Sequence, residues 1–180
     1  FQIEEDGLNH QDPMPEVESF KDLPSEHQLR KKIIDKLPDE YKESFNKEWP
    51  VEVRPINPVD LMSPEPKEPQ NYIWFKARSS LPDIVSLHQC VLAYMSDMTL
   101  LDTCTNPHGV NFMNPNLHSA SLDHAMWFHR PFKADEWLLY HQDSPSASGA
   151  RGFNRGSIFD LNGNLIASVA QEGLIRFTQN

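Results

Sequence analysis

Hydrophobic positions recur every three or four residues between Ile84 and Leu101, and this spacing predicts one long helix. The apolar stripe consists of Ile84, Leu87, Val91, Tyr94, Met98 and Leu101. Beside it runs a second stripe of mostly small side chains: Ser86, Cys90, Ala93 and Asp97. A helix that is apolar or small over most of its circumference is buried, so we expect this helix to lie in the core.

The segments on either side of the helix have the composition and alternation of β-strands. They are residues 72–78 before it and 119–132, 136–143, 150–159 and 165–177 after it. Short connections separate the later strands, at 131–135, 144–146 and 162–164. The last, Asn-Gly-Asn, is a hairpin signal because Asn and Gly tolerate positive φ. This order predicts an α+β domain in which an antiparallel sheet wraps around one helix.

The first 69 residues differ in composition from the rest. They hold 17 acidic against 9 basic side chains, about -8 of the formal net charge of -10, and most of the 15 prolines. We therefore predict an acidic, proline-rich lead-in, 1–69, and a main domain, 70–180. Within the lead-in we expect two short helices and one short strand, at the 25–28 capping box, at 40–47 and at 51–54.

Charge and cysteine content argue against several classes of protein. The chain has no block rich in Lys or Arg, so we expect no nucleic-acid partner and no anionic membrane surface. It has no run of about 18 or more apolar residues that would span a membrane. Cys90 and Cys104 are too few for a disulfide scaffold or a four-ligand zinc site, and a reducing interior is the expected compartment. Because the chain starts at Phe1 and not at Met, we expect a fragment or a processed product.

Asp97 is the first candidate for chemistry, because it follows small side chains late in the predicted helix. Desolvation and the negative end of the helix dipole both disfavour a carboxylate there. Such a group suits a general base or a group that positions water. The alternative is a capping or surface Asp, if the helix ends early.

Ser121 stands just before Asp123 and His124, a grouping that raises the question of a nucleophile with its base. Strand neighbours point to opposite faces, so Asp123 and His124 are not both expected to approach Ser121. The G-x-S-x-G elbow is also missing from the sequence. We interpret His124 and His129 as polar or packing residues, since a spacing of five places them on opposite faces and argues against a metal pair.

Gln171 lies on the apolar face of the last predicted strand, where its amide must find hydrogen-bond partners. An amide can hold a water but cannot act as a base, and a purely structural role is the alternative. Arg151 and Arg155 share one face of a predicted strand. They are candidates for binding substrate phosphates, although we favour a solvent-exposed face because no other positive charge lies nearby.

Several strings of residues together resemble the thioesterase II family of acyl-CoA thioesterases, which occurs in bacteria and in peroxisomes. They are Tyr94-Met95-Ser96-Asp97, the D-H-x-M-W-F-H run within 121–132, and the shorter strings at 136–140, 150–152 and 169–173. The resemblance covers about 70–177 and, more loosely, residues 1–11. It implies a hotdog fold, as the second half of a double hotdog, with 1–11 ending the first repeat and opening the linker.

The resemblance also implies a site and a reaction. In that family an Asp on the hotdog helix, a Thr or Ser before the D-H-x-M-W-F string and a Gln on the last strand position a water. These roles fall on Asp97, Ser121 and Gln171. The implied reaction is hydrolysis of fatty acyl-CoA to fatty acid and coenzyme A, with no metal and no bound cofactor.

The implied partners are the acyl-CoA substrate and a second hotdog unit, either an N-terminal repeat or another copy of the chain. Two alternatives stay open: a hotdog hydratase built on His88, and an inactive half that serves acyl-CoA binding or assembly. The C-terminal residues 177–180 lack a peroxisomal S-K-L-type signal. We therefore expect a bacterial cytoplasmic protein, with the peroxisomal matrix as the alternative.

Overall fold

One antiparallel sheet and a helix packed on it dominate the computed structural model of the chain, which describes residues 5–178. Its strands are β1 (Val51–Pro55), β2 (Gln70–Ala77), β3 (Leu117–Ser121), β4 (Ala125–Phe128), β5 (Leu138–Ser148), β6 (Arg151–Phe159) and β7 (Leu165–Phe177). Its α-helices are α1 (Glu26–Lys31), α2 (Asp39–Asn46) and α3 (Val85–Asp97). In space the strands follow the order β1-β2-β5-β6-β7-β3, and β4 also pairs with β7. This is the predicted α+β hotdog arrangement.

Helix α3 packs one side against the inner face of the sheet, but it is not buried around most of its circumference, contrary to what the sequence pattern suggested. Leu92 and Met95 are fully buried in a core that also contains strand residues such as Phe75. In the predicted apolar stripe, by contrast, Ile84 is 53% and Tyr94 57% exposed. The helix is apolar or small on more than one side, so its periodicity identifies the helix without indicating which side the sheet covers.

The lead-in is folded onto the main domain. Its predicted elements are confirmed: Ser25 and Gln28 form the capping box of α1, and α2 and β1 follow. Strand β1 pairs with β2, so the sheet already begins before residue 70. The division at residue 69 stays a prediction, with the qualification that the lead-in contributes an edge strand.

The outer face of the sheet is covered by an earlier part of the lead-in. Phe20 stacks on Trp137 with 4.6 Å between ring centroids, and the Trp74 indole donates to the Glu18 carbonyl at 2.8 Å. Further along, the Leu165 amide donates to the Gln11 side chain at 3.0 Å. Of residues 1–11, predicted to end a preceding repeat and open the linker, residues 1–4 lie outside the described residues, and residues 5–11 have no regular secondary structure.

The connection predicted at 144–146 is wrong, because β5 continues through it to Ser148. The strand absorbs Pro145 at an irregularity in its register between Asp143 and Ser146, where a ladder N–H is not needed. The hairpin predicted at 162–164 is confirmed. Gly163 has a φ of 82°, and the Asp160 carboxylate accepts the Asn164 amide at 2.8 Å.

Candidate active site

Asp97 and Gln171 meet where the end of α3 crosses β7. Asp97 is the last residue of the helix, and Gln171 faces inward from β7 with none of its surface exposed. Its amide nitrogen Nε2 donates to Asp97 Oδ1 at 2.5 Å. The amide oxygen Oε1 is buried and has no partner among the described residues. The two predicted residues are thus in direct contact.

Ser121 reaches the same carboxylate oxygen from the neighbouring strand. It ends β3 opposite Gly173, an inward-facing position of β7, and its hydroxyl donates to Asp97 Oδ1 at 3.3 Å. No hydrogen bond of the described residues uses the second oxygen, Oδ2. The Asp97 side chain is 51% exposed, so Oδ2 is available to a water molecule.

A bulge interrupts the strand that we predicted to run through 119–132. Ser121 pairs with Gly173 and Ala125 with Ala170, so three residues on one side face two on β7. The extra residue shifts the alternation of side chains by one position. As a result His124, three positions after Ser121, points to the same inner face.

Asp123 stabilises this bulge. Its carboxylate accepts the backbone N–H of Glu172 at 2.8 Å, and the carbonyl of Glu172 accepts the N–H of Leu122 at 2.9 Å. Asp123 therefore points away from Ser121, and the Ser121 hydroxyl bonds to Asp97 and to no histidine. This agrees with the sequence argument against a serine nucleophile.

His124 is the site residue whose part the sequence did not reveal. Its Nδ1 lies 3.1 Å from Gln171 Nε2 and 3.7 Å from Asp97 Oδ1, and its Nε2 lies 2.8 Å from the buried Ser96 hydroxyl. We interpreted His124 as a polar or packing residue, and it does make polar contacts. Strand alternation gave no reason to place them at Asp97, because the bulge is not visible in the spacing.

Below the site, Tyr140 ties the helix to the sheet. Its hydroxyl donates to the Ser96 carbonyl at 3.1 Å, and burial raises the pKa of Tyr140 well above its ordinary value. The phenol therefore stays protonated and keeps its hydrogen for that carbonyl. This contact fixes the last turn of α3, and with it the position of Asp97.

A groove of about 420 Å³ opens over Asp97 and Ser121. It runs between the last turn of α3 and the bulge, and its lining includes Ala93, Tyr94, Met98 and Leu122. The groove combines these apolar side chains with the hydroxyls of Tyr94 and Ser121, the carboxylates of Asp97 and Asp123 and the imidazole of His124, and small-molecule sites commonly pair apolar walls with a few polar groups in this way. It explains why Asp97 is half-exposed, and it corrects our expectation of a desolvated carboxylate.

The two arginines lie elsewhere. Arg151 and Arg155 are outward-facing residues of β6, on the opposite side of the sheet from Gln171. Arg155 forms an ion pair with Asp143, and Arg151 lies 3.6 Å from Glu172. The structure brings neither of them to the groove, and their role in substrate binding stays a prediction.

His88, the residue on which a hydratase would depend, is 2% exposed. Its Nδ1 accepts the backbone N–H of Ala134 at 3.0 Å, and it does not line the groove. Residues 5–178 contain no group of three or more His, Cys, Asp or Glu side chains placed to hold a metal ion. Nothing in the described geometry supports the hydratase alternative.

Two further expectations concern cysteines and membranes. Cys90 and Cys104 are both free thiols, the first exposed on α3 and the second buried. Within the described range, no helix is both long and apolar enough to cross a membrane.

Comparison with known proteins identifies the family. The model of the acyl-CoA thioesterase family matches residues 40–174. The chain is 38% identical to acyl-CoA thioesterase 2 of Haemophilus influenzae, covering 99% of this chain and 63% of that protein. It is also similar to the crystal structure of acyl-CoA thioesterase II from Mycobacterium marinum, with 41% identity and a TM-score of 0.73 over 99% of this chain and 61% of the other.

A more distant structure supports the fold alone. A hotdog-fold protein of Alicyclobacillus acidocaldarius is 15% identical, with a TM-score of 0.68 over 98% of this chain and 60% of that one. The chain therefore spans about three fifths of the length of the relatives that it matches. The predicted hotdog fold is confirmed, and the chain belongs to the acyl-CoA thioesterase family.

Proposed function

We propose that the protein hydrolyses fatty acyl-CoA to free fatty acid and coenzyme A. The observation that carries this proposal is the meeting of Ser121 and Gln171 on one oxygen of Asp97, at the floor of an open groove. The family to which the chain belongs supports the choice of a thioester as substrate. We assign the roles of the three residues from their contacts.

In the proposed reaction a groove water attacks the thioester carbonyl carbon. Asp97 Oδ2 accepts the water's proton, the C–S bond breaks, and the departing thiolate takes up that proton from Asp97 to give coenzyme A. The Ser121 hydroxyl holds the carboxylate from the groove side and is placed to contact the same water. Correct orientation of that water lowers the entropic cost of attack.

Gln171 has a different role from the one implied by the resemblance. Its Nε2 faces both Asp97 and His124, and the residue is fully buried beneath the groove. We therefore propose that Gln171 orients the Asp97 carboxylate and does not hold the water itself. The chemistry requires neither a metal nor a bound cofactor, because coenzyme A is part of the substrate.

A thiol-release assay with a long-chain acyl-CoA tests this proposal. We expect Asp97→Ala to lower kcat about 10²–10⁴-fold, the range for loss of a general base. Ser121→Ala should lower kcat less, and Ser121→Thr should retain activity because it keeps the hydroxyl. Circular dichroism of each variant provides the folding control. The proposal fails if the chain releases no thiol even when it is joined to a preceding repeat.

We also propose that a second hotdog unit, a preceding repeat or another copy, packs against the exposed side of α3. Cys90 and Tyr94, four residues apart on one side of α3, are both exposed, and the opposite side of the helix is buried. Sedimentation equilibrium should show association, and Cys90→Glu should weaken it. A monomer at all concentrations, together with activity, would contradict this proposal. Association without thiol release would instead favour the alternative of an inactive half that serves acyl-CoA binding or assembly.

For its location we propose the bacterial cytoplasm, with the peroxisomal matrix as the alternative. The free thiols of Cys90 and Cys104 support this proposal, because they suit a reducing compartment. Fractionation of the source cells tests the assignment directly.

A further inference from the structure

His124 lines the groove and connects three side chains of the site. Its side chain is 21% exposed. One ring nitrogen faces Gln171 at 3.1 Å, and the other faces the fully buried Ser96 at 2.8 Å. The roles of these contacts follow from which atoms can donate and which can accept.

The Asp97 carboxylate fixes the direction of the hydrogen bond between Gln171 and Asp97. Asp97 Oδ1 only accepts hydrogen bonds, so the atom of the Gln171 amide that lies 2.5 Å from it must be the donor Nε2. Since Nε2 has no accepting lone pair, His124 Nδ1 must accept from it. The hydrogen-bond network thus assigns an unprotonated Nδ1 to His124.

The other end of the imidazole agrees with this assignment. With Nδ1 unprotonated, a neutral ring carries its hydrogen on Nε2, which then donates to the Ser96 hydroxyl oxygen. That hydroxyl has its own hydrogen for the Ala93 carbonyl at 3.0 Å. Every donor from Gln171 to the helix backbone therefore faces an acceptor.

From this network we infer that His124 is a positioning residue, a neutral imidazole with its proton on Nε2 that holds the Gln171 amide toward Asp97. The inference rests on the proposed function for its catalytic consequence. Gln171 Oε1 has no partner among the described residues, so it does not fix the amide by itself. The observed orientation of the amide is favoured over the flipped one only by the two acceptors that face Gln171 Nε2, Asp97 Oδ1 and His124 Nδ1.

A flipped amide would place Oε1 against the Asp97 carboxylate, with two acceptors facing each other. The carboxylate would then be repelled from its position under the groove. His124 disfavours the flip because its Nδ1 is also an acceptor. The flipped Oε1 would face this second acceptor, and the hydrogen bond from Gln171 to His124 would be lost. Both ring nitrogens are occupied by protein side chains, so His124 acts through Gln171 and Asp97 and is not itself the base.

Two variants test whether His124 acts as a hydrogen-bond acceptor or only fills space with its ring. His124→Phe keeps the ring and removes both nitrogens, whereas His124→Asn keeps an amide oxygen near the position of Nδ1. We expect His124→Phe to lower kcat about 10²-fold, the scale for a misplaced catalytic group, with a much smaller change in KM. His124→Asn should recover most of that loss. His129→Phe is the matched control, because His129 lies on the other face and bonds to Ser168, and it should keep wild-type activity.

Nitrogen-15 NMR of the histidine ring tests the assignment without any activity. The expected result is the Nε2–H tautomer for His124 at neutral pH, with a hydrogen bond from the Gln171 side chain to Nδ1. An Nδ1–H tautomer, a charged ring at neutral pH, or equal losses in His124→Phe and His124→Asn would overturn the inference. If the chain releases no thiol even when it is joined to a preceding repeat, the proposed function fails, and the NMR result still decides the role of His124.

Discussion

Two buried amides on the inner face of the sheet allow a direct test of how polar groups affect the stability of this chain. Gln142 and Asn154 have none of their surface exposed. The Gln142 amide donates to Thr99 at 2.7 Å and accepts from Thr103 at 3.2 Å. Neither polar atom of the Asn154 side chain has a hydrogen-bond partner among the described residues. The same substitution should therefore have opposite effects at the two positions.

The change in the free energy of unfolding depends on whether each substitution leaves a neighbouring polar group without its hydrogen-bond partner. Gln142→Leu removes these two hydrogen bonds and a third from the Asn71 amide at 3.5 Å, and it leaves the Thr103 hydroxyl short of an acceptor, at a cost of about 1–3 kcal/mol per orphaned group. The apolar gain of the leucine offsets part of this, so we expect a net loss of about 2 kcal/mol. Asn154→Leu removes a polar group without orphaning another. We expect it to stabilise the fold by about 1–2 kcal/mol.

The Cys104 thiol lies beside Asn154 but does not change this expectation. Its hydrogen goes to the Leu101 carbonyl at 3.1 Å, and sulfur is only a weak acceptor. Leucine has as many side-chain heavy atoms as asparagine but a larger volume, and overpacking would reduce the gain.

Urea unfolding followed by tryptophan fluorescence and circular dichroism measures both changes, provided that the two probes coincide. The expected difference between the variants is about 3–4 kcal/mol, measured at equal m-values. Equal destabilisation of both variants would refute the reasoning. It would mean that an enclosed water satisfies Asn154 beside Gln171, its partner across the β6–β7 pair.

Three further predictions address pH, packing and the core. Burial lowers the pKa of His141, so this residue binds its proton more weakly in the folded state. The free energy of unfolding should therefore fall as the pH drops below about 6.5, the pKa of a histidine in the unfolded chain. Urea titrations at several pH values should show a smaller fall for His141→Phe. Gly156→Ala places a Cβ 2.2 Å from the buried Tyr140 ring and should lower Tm by several degrees, whereas Gly7→Ala, with nothing within 4 Å, should leave Tm unchanged. Leu92→Ala should cost about 2–5 kcal/mol in urea unfolding, since Leu92 is fully buried against the sheet.

Local signals in the sequence were sufficient for most of the secondary structure. The capping box at Ser25, the Asn-Gly-Asn turn around Gly163 and the period of α3 each depend on residues close together in the chain. What failed was the expectation that α3 is buried on most of its sides. Strands far away in sequence determine which side they cover, and a helix with apolar side chains on several sides carries no local signal for that.

The candidate site shows the same limit at finer scale. The helix pattern drew attention to Asp97, while Ser121 and Gln171 were identified through the resemblance. Their meeting depends on pairings that span 24 and 74 residues. Such distances are set by strand register, and composition or periodicity does not specify register when both faces of a strand contain apolar residues.

The bulge between β3 and β4 explains why the sequence did not place His124 next to Asp97 and Gln171. In a regular strand, residues three apart point to opposite faces, so Ser121 and His124 would not share a site. One extra residue reverses this, and Asp123 closes the bulge by accepting the Glu172 N–H. Asp is rare within strands, and a side chain that accepts backbone hydrogen bonds is what a bulge needs. An aspartate in the middle of an otherwise strand-like run is therefore a reason to expect a β-bulge. Beyond such a bulge the alternation of side chains is reversed, so both faces of the sheet must be considered for the residues that follow.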